Sequence, residues 1–395
     1  MLAVSFWWHS YIHSSHRPCA QSGVTQSNIT TFNFKFMTLK QLSVELQSLG
    51  VKVPGQFIGR KGGAGPSEGQ VLILDGCYIN VPTQSWFVKS SPYRIEKAGS
   101  SFVLLKDHNA VCEVRLPARP RYYDLETGSG IPLDKIALIH GRDCLASTVY
   151  QDCVYWNTDL QCEFCGIGIS LASGATVLEK NPEDLGLTAE KARLLDSVEH
   201  VTLTMGARAN GDLGVDHILS CIKSIKSATD IPVHVQICPF EKMDVFDRLK
   251  QEGADTVGIH IETCSMDILK RIAPCKQRIG LETYIKCWEQ SVSIFGRNQV
   301  SSFIIAGIGE SPDKVLKGAE LLCALGVFPY LLPLRPIPGT AMENLNPPPP
   351  EEMMFLYEQL SGILKKYKLS SKLCKAGCVK CGACSSLSLF EEAGQ

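Results

Sequence analysis

The sequence predicts an α/β protein: a partial (β/α)6 barrel, preceded by a small N-terminal α+β domain and followed by a cysteine-rich, metal-binding extension. Three observations predict it. Over residues 136–345 short apolar strands alternate six times with helical segments, a rhythm that demands parallel strands with helices packed outside them. Over 37–135 short β-like runs are separated by turn residues. Over 346–395 a helical stretch leads into four cysteines within eleven residues.

Residues 1–36 read as an extended or disordered start. Leu2 to Trp8 is apolar but short, and no basic residue precedes it, so it is a poor signal peptide. Met37-Thr-Leu-Lys-Gln-Leu opens an amphipathic helix that reaches Leu49. The glycine-rich stretch from Gly59 to Gly69 lacks the Lys-Ser/Thr ending of a phosphate loop and reads as a flexible connection into the strand at Val71–Leu74. Ser85–Val88, Ser101–Leu105 and Ala110–Leu116 complete the small domain as β-like runs.

The barrel strands are expected at Ala146–Tyr150, Val201–Met205, Pro232–Ile237, Thr256–Ile261, Ser302–Ile305 and Tyr330–Leu334. Helices are expected near Ala189–Glu199, Val215–Ser227, Lys242–Glu252, Met266–Ile272, Leu281–Ile294 and Pro312–Leu325. The last carries a clear start signal, Ser311 as N-cap with Pro312 and Asp313 in the first turn. The run Asn346-Pro-Pro-Pro-Pro350 closes the barrel, and a final helix spans about Glu351–Tyr367.

Composition bounds the function. Of 395 residues, 45% are hydrophobic and 20% charged, with a net charge of −1, as in an ordinary globular protein with no electrostatic claim on nucleic acid or an anionic membrane. No apolar run is long enough to span a bilayer. The 17 cysteines are odd in number and mostly scattered singly through apolar stretches, as at Cys221, Cys287 and Cys323. That pattern suits small buried hydrophobes in a reducing, cytoplasmic compartment, not a disulfide framework.

Two places concentrate thiols. The first is Cys153-Val-Tyr-Trp-Asn-Thr-Asp-Leu-Gln-Cys162-Glu-Phe-Cys165, directly after the first barrel strand, on the rim where barrel ligands bind. Three thiolates can hold three irons of a four-iron cluster and leave the fourth open. A structural zinc wants four ligands, and Cys144 would have to be the fourth. Cys144 precedes the strand, which places it at the opposite end and favours the cluster with an open iron. The second is Cys374-Lys-Ala-Gly-Cys378-Val-Lys-Cys381-Gly-Ala-Cys384, either a second iron–sulfur cluster or a four-thiolate zinc site, with the two CxxC steps favouring the cluster.

Strand alternation points to a ligand between them. Gly258, His260 and Glu262 share one face of their strand; His234, Gln236 and Cys238 share one face of theirs, and Thr202 and Thr204 of another. Such polar groups in a barrel interior suit a cavity for a polar ligand, or pair with each other. Tyr330 and Arg335, at the sixth strand, are candidates to approach a substrate there.

The first thiol segment resembles the cluster motif of the radical SAM superfamily, Cys-x3-Cys-x2-Cys with an aromatic residue before the last cysteine, here Phe164. It departs in the first gap: Thr158 stands where the first cysteine is usual, and Cys153 takes that part eight residues before Cys162. Further segments agree in order across about 140–340. Thr204-Met205-Gly206-Ala207 stands where the superfamily's glycine-rich segment meets the amino group of S-adenosylmethionine (SAM), without its glutamate. His260-Ile-Glu262-Thr is similar to a segment of lipoyl and biotin synthases, and Ile305-Ala-Gly307-Ile-Gly309 to the segment that packs on the adenine.

The resemblance implies a TIM-like partial barrel of radical SAM type and a [4Fe-4S] cluster on Cys153, Cys162 and Cys165. It implies SAM contacts at Phe164, Met205, Gly206, Glu262, Ile305 and Gly307, and reductive SAM cleavage to a 5′-deoxyadenosyl radical acting on a small molecule. A flavodoxin- or ferredoxin-type electron donor would serve it. Sulfur insertion and other transferase or oxidative chemistry both remain open. The chain also looks like a bacterial branch of the superfamily found alongside nitrilase-type genes. The alternative from another class is a non-catalytic protein with zinc at both thiol sites.

Overall fold

The computed structural model describes residues 37–54, 68–99, 101–209 and 212–391. The proposed disordered start, 1–36, and nearly all of the glycine-rich stretch lie outside them. Residues Phe34–Gln395 form one compact unit.

The chain opens with helix α1 (Leu39–Leu49), started by a capping box between Thr38 and Gln41. Strands β1 (Gln70–Leu74) and β2 (Cys77–Val81) form a hairpin, and β3 (Tyr93–Ala98), β4 (Ser101–Lys106) and β5 (Asn109–Val114) a three-stranded antiparallel sheet. Leu42, Leu46, Leu72, Ile79, Tyr93 and Leu104 belong to a hydrophobic cluster of their own. The expected strand at Ser85–Val88 is instead a 3-10 turn, Trp86–Ser90. The carboxylate of Glu68 accepts from the amides of Thr83, Gln84 and Ser85, and the Val88 amide turns back to the Ser85 carbonyl, so these groups are satisfied locally and need no partner strand.

A seven-stranded sheet follows. Strand β6 (Leu138–His140) is antiparallel to β7 (Cys144–Tyr150), and β7 starts the parallel set with β8 (His200–Met205), β9 (Val233–Gln236), β10 (Thr256–Gly258), β11 (Val300–Ala306) and β12 (Phe328–Pro333), in that spatial order. The connections carry α2 (Ile167–Ala172), α3 (Pro182–Asp196), α4 (Val215–Ala228), α5 (Asp244–Gln251), α6 (Met266–Ile272), α7 (Pro274–Ile279), α8 (Leu281–Phe295) and α9 (Pro312–Leu325). This is the expected α/β partial barrel. All six parallel strands lie where the apolar runs placed them, and β6 is an addition.

Helix α3 and strand β10 differ most in extent; β7, β11 and β12 each begin two residues earlier than expected. Helix α3 starts at Pro182, capped by the Asn181 side chain, and stops where Ser197 turns left-handed (φ 55°), so 197–199 lie outside it. Strand β10 ends at Gly258 instead of Ile261 because a β-bulge follows. Ile259 donates to Ser301, and Glu262, at φ 64°, pairs with Ile304, so the β10 side carries one residue more. Ser311 holds the N-cap position of α9 without a side-chain capping bond.

The barrel is open between β12 and β6. After α10 (Pro350–Tyr367) the chain meets the strands' amino-terminal ends; α11 (Cys378–Cys381) lies between β12 and His140 of β6, and α12 (Leu387–Glu391) packs on α10. Thr256 donates to the Ala376 carbonyl (3.4 Å), the Gly377 amide to His200 Nδ1 (3.2 Å), and Ser385 to the Leu331 carbonyl (2.6 Å). The small domain holds the same segment: the Gln47 side chain donates to Ala383 O (3.1 Å), Ser43 Oγ meets Ser386 Oγ (2.6 Å), and the Asn80 backbone N–H donates to Ala383 O (2.8 Å).

Candidate active site

The loop after β7, residues 151–166, carries Cys153, Cys162 and Cys165 at the carboxyl-end rim. Its start is held to the next strand: the Val154 amide donates to Ala207 O (2.8 Å), and a Cβ at Gly206 would overlap the Asp152 carbonyl. Only glycine lets the two backbones meet there. Its end is held to α6 and α7: the Glu163 amide donates to Ile272 O (2.8 Å), and Cys162 Sγ lies 3.6 Å from Cys275 Sγ. The Cys165 amide donates to Cys162 O (3.0 Å), a tight turn across the CxxC step.

The three thiols stand within electrostatic reach of one another, and Cys238, just beyond β9, is within reach of Cys153 and Cys162. Burial pushes Cys165 and Cys238 each up to about 12. A half-buried set of soft donors with a cation nearby suits a metal centre that keeps thiolates charged. Among the described residues, no three His, Cys, Asp or Glu are gathered closely enough for a single metal ion.

The cation is Lys276. It is half-buried, forms an ion pair with Glu262, donates to His260 O (2.8 Å), and lies 6.0 Å from the Phe164 ring centroid. Burial works to lower its pKa, but the adjacent Glu262 carboxylate holds it well above the ordinary lysine value. Glu262 thus faces a fixed cation from the bulge, a left-handed position that a β-region residue would not reach.

Below the rim a cavity of about 310 Å³ runs down the barrel. Cys165, Phe164, Glu262 and Ile305 line it near the rim, and Cys144, Cys378, Cys384 and His140 line its floor. His260 stacks on Phe303 (3.7 Å between centroids), and its Nδ1 accepts from the Phe303 amide (3.1 Å), which leaves the proton on Nε2. That Nε2 and His234 Nε2 are buried without a hydrogen-bond partner, and a Cβ at Gly258 would lie about 3 Å from both. Burial holds His234 down at about 3 and His260 well below the ordinary value, so both imidazoles are neutral. Arg335 lines the cavity and donates to the carbonyls of Asn80 (3.0 Å) and Glu68 (3.5 Å), tying the last strand to the small domain.

The sequence-selected residues separate into groups. Phe164, Glu262 and Ile305 line the cavity with Cys165. Gly206 is required by the cysteine loop; Gly307 (φ 90°) is required where a Cβ would meet Pro348 Cδ at 2.7 Å, and Met205 packs by Gly214. Arg208 pairs with Glu179 and lies over Tyr150. Of the C-terminal four, Cys378, Cys381 and Cys384 gather on the floor, whereas the Cys374 thiol donates to its neighbour Ala376 O (3.2 Å). Sequence reasoning missed Cys275 and Lys276, which reach the rim only through the fold of α7. It noted Cys238 as inward-facing without linking it to the rim.

A family model described as the radical SAM superfamily matches residues 158–322, which take in Cys162, Cys165, Glu262 and Ile305; Cys153 stands just before the match. Residues 158–322 thus match a radical SAM superfamily domain. A curated relative, bacteriochlorophyllide c C-7(1)-hydroxylase of Chlorobaculum limnaeum, is 24% identical over 261 residues, 61% of this chain. The chain spans 64% of that relative's length. Solved structures similar in part include a radical SAM methyltransferase from Sphaerobacter thermophilus (14% identity, 70% of this chain and 75% of that one, TM-score 0.45). Another is methylornithine synthase (12% identity, 63% and 72%, TM-score 0.43). Among the described residues no helix is long and apolar enough to cross a membrane.

Proposed function

We propose that the chain is an iron–sulfur enzyme that cleaves SAM reductively and uses the product radical on a small molecule bound in the barrel. The carrying observation is the rim: three thiols of one loop within electrostatic reach of one another, Cys165 lining the mouth of an interior cavity, and the Lys276–Glu262 pair beside them. Cys153, Cys162 and Cys165 would hold a [4Fe-4S] cluster. When bound, the cluster supplies the electron that breaks the sulfonium C–S bond of SAM, giving methionine and a 5′-deoxyadenosyl radical that takes a hydrogen atom from substrate.

The chain's own residues bind and exclude. Phe164 and Ile305 give apolar surface at the rim for the adenosyl part, and Glu262, fixed by Lys276, offers a carboxylate beside it. Phe303, Tyr330, Leu332 and Leu334 keep the cavity dry, which protects a reactive radical from water. His260 Nε2–H and the Arg335 guanidinium are donors toward a polar or anionic part of the substrate. From the curated relative's name, reaction at a substrate carbon is the feature carried over to this chain. A flavodoxin- or ferredoxin-type protein is the reductant, and the C-terminal cysteines hold a second iron–sulfur cluster.

Anaerobically reconstituted, dithionite-reduced protein should release 5′-deoxyadenosine and methionine from SAM, and Cys162→Ala should abolish the release. Fully loaded wild-type protein that leaves SAM intact would refute the reading.

A further inference from the structure

Cysteines at the amino-terminal ends of barrel strands are ordinarily packing residues, yet here five sulfur- or nitrogen-bearing side chains converge. His140, at the end of β6, stands between two of them: Nδ1 is 3.4 Å from Cys381 Sγ, and Nε2 is 3.4 Å from Cys384 Sγ. Cys144, the first residue of β7, hydrogen-bonds Cys381 and lies 3.2 Å from Thr202 Oγ1. Cys378 accepts from Gln236 of β9 (3.4 Å), and Cys384 accepts from Asn80 of the small domain (3.4 Å). A Cβ at Gly141 would stand 2.5 Å from Cys381 Sγ, and one at Gly377 2.5 Å from the His234 ring, so both close approaches require glycine. Cys374 keeps its thiol on Ala376 O.

We propose that a second iron–sulfur cluster is held on the barrel floor by Cys144, Cys378, Cys381 and Cys384, not by the contiguous cysteine run, with His140 positioned beside Cys381 and Cys384. The inference rests on the second-cluster reading above and changes its ligand set. Cys144, Cys378 and Cys384 face the interior cavity, so this cluster bounds the space opposite the rim. A second cavity, of about 230 Å³, reaches Cys381 from the side of exposed Arg142 and Lys380. Thiolate ligands crowded in a low-dielectric floor need donors, and Gln236, Asn80 and His140 supply them.

The test removes the rim cluster first. In the full chain with Cys153→Ala, Cys162→Ala and Cys165→Ala, anaerobic reconstitution should leave about four irons and a reduced cluster signal that SAM does not move. Adding Cys374→Ala should leave iron content and signal unchanged. Adding Cys144→Ala should lose or reshape the signal, and Cys144→Ser, which keeps the side chain's size, should retain iron with shifted g values. A signal indifferent to both Cys144 variants, or lost with Cys374→Ala, overturns the ligand set. So does a strong histidine nitrogen coupling that His140→Ala removes. Zinc in place of iron in the rim-deleted chain overturns the floor cluster alone, because SAM cleavage by the wild type reports the rim separately.

Discussion

Glu262 and Lys276 show how a single pair sets the local chemistry. Glu262 is buried and Lys276 largely covered, so removing the lysine's partner or the lysine leaves a charge poorly compensated, a loss of up to about 3–5 kcal/mol. Glu262→Gln should lower urea-denaturation stability by that order, and adding Lys276→Met should recover much of it. If the single variant is as stable as wild type, the pair is not the fixed electrostatic feature described. Glu262 was legible in the sequence because it alternates with Gly258 and His260. Its lysine was not: Lys276 lies fourteen residues on, beyond α6, and nothing in Pro274-Cys-Lys marks it as turning inward. The same limit applies to Cys275 beside Cys162. Gly206 was legible as a special glycine, but the backbone of the cysteine loop presses on it. Gly206→Ala should therefore displace that loop and lower iron at the rim while the floor signal persists, measured as iron per chain and by EPR. Unchanged iron would show that the loop does not depend on this contact.

At the scale of elements, local signals were read where they are local. The strand positions followed from apolar runs bounded by turns, and α9 from Ser311-Pro312. The equivalent Asn181-Pro182 starts α3, earlier than the apolar pattern alone placed it. The bulge after β10 leaves no mark in a hydrophobic pattern, because it arises from register with β11. The segment 178–180 runs beside β7, with the Gln151 amide donating to Leu178 O and the Lys180 amide to Val149 O. It buries Lys180, whose ammonium donates to Thr176 and the Val177 carbonyl, and burial holds its pKa down to about 7. From pH 7 to about 10.5 the unfolded chain binds a proton there that the folded chain does not, so stability rises with pH, by up to about 1.4 kcal/mol per pH unit. Relative to Lys180→Met, the wild type should gain stability between pH 7 and 10 in urea melts. Parallel pH profiles would contradict the burial account.

At the scale of the molecule, the contacts that close the barrel join residues more than three hundred positions apart, such as Gln47 with Ala383 and Asn80 with Cys384. No spacing rule reports them, which is why the small domain carried no readable function. The structure brings it against the C-terminal segment, and the cysteines of that segment against β6 and β7. A chain with Gln47→Ala and Asn80→Ala should keep its rim cluster and lose floor iron more readily to a chelator, followed as the rate of iron release. Equal release rates would show that the small domain does not secure the floor.

The central claim is an open iron at the rim that binds SAM. It is tested most directly by EPR of anaerobically reconstituted, dithionite-reduced wild-type protein, with and without SAM. The account predicts a reduced four-iron signal that shifts when SAM is added, beside a second signal that does not move. Well-reconstituted protein that holds zinc and gives no cluster signal, or a cluster signal wholly indifferent to SAM, would contradict it.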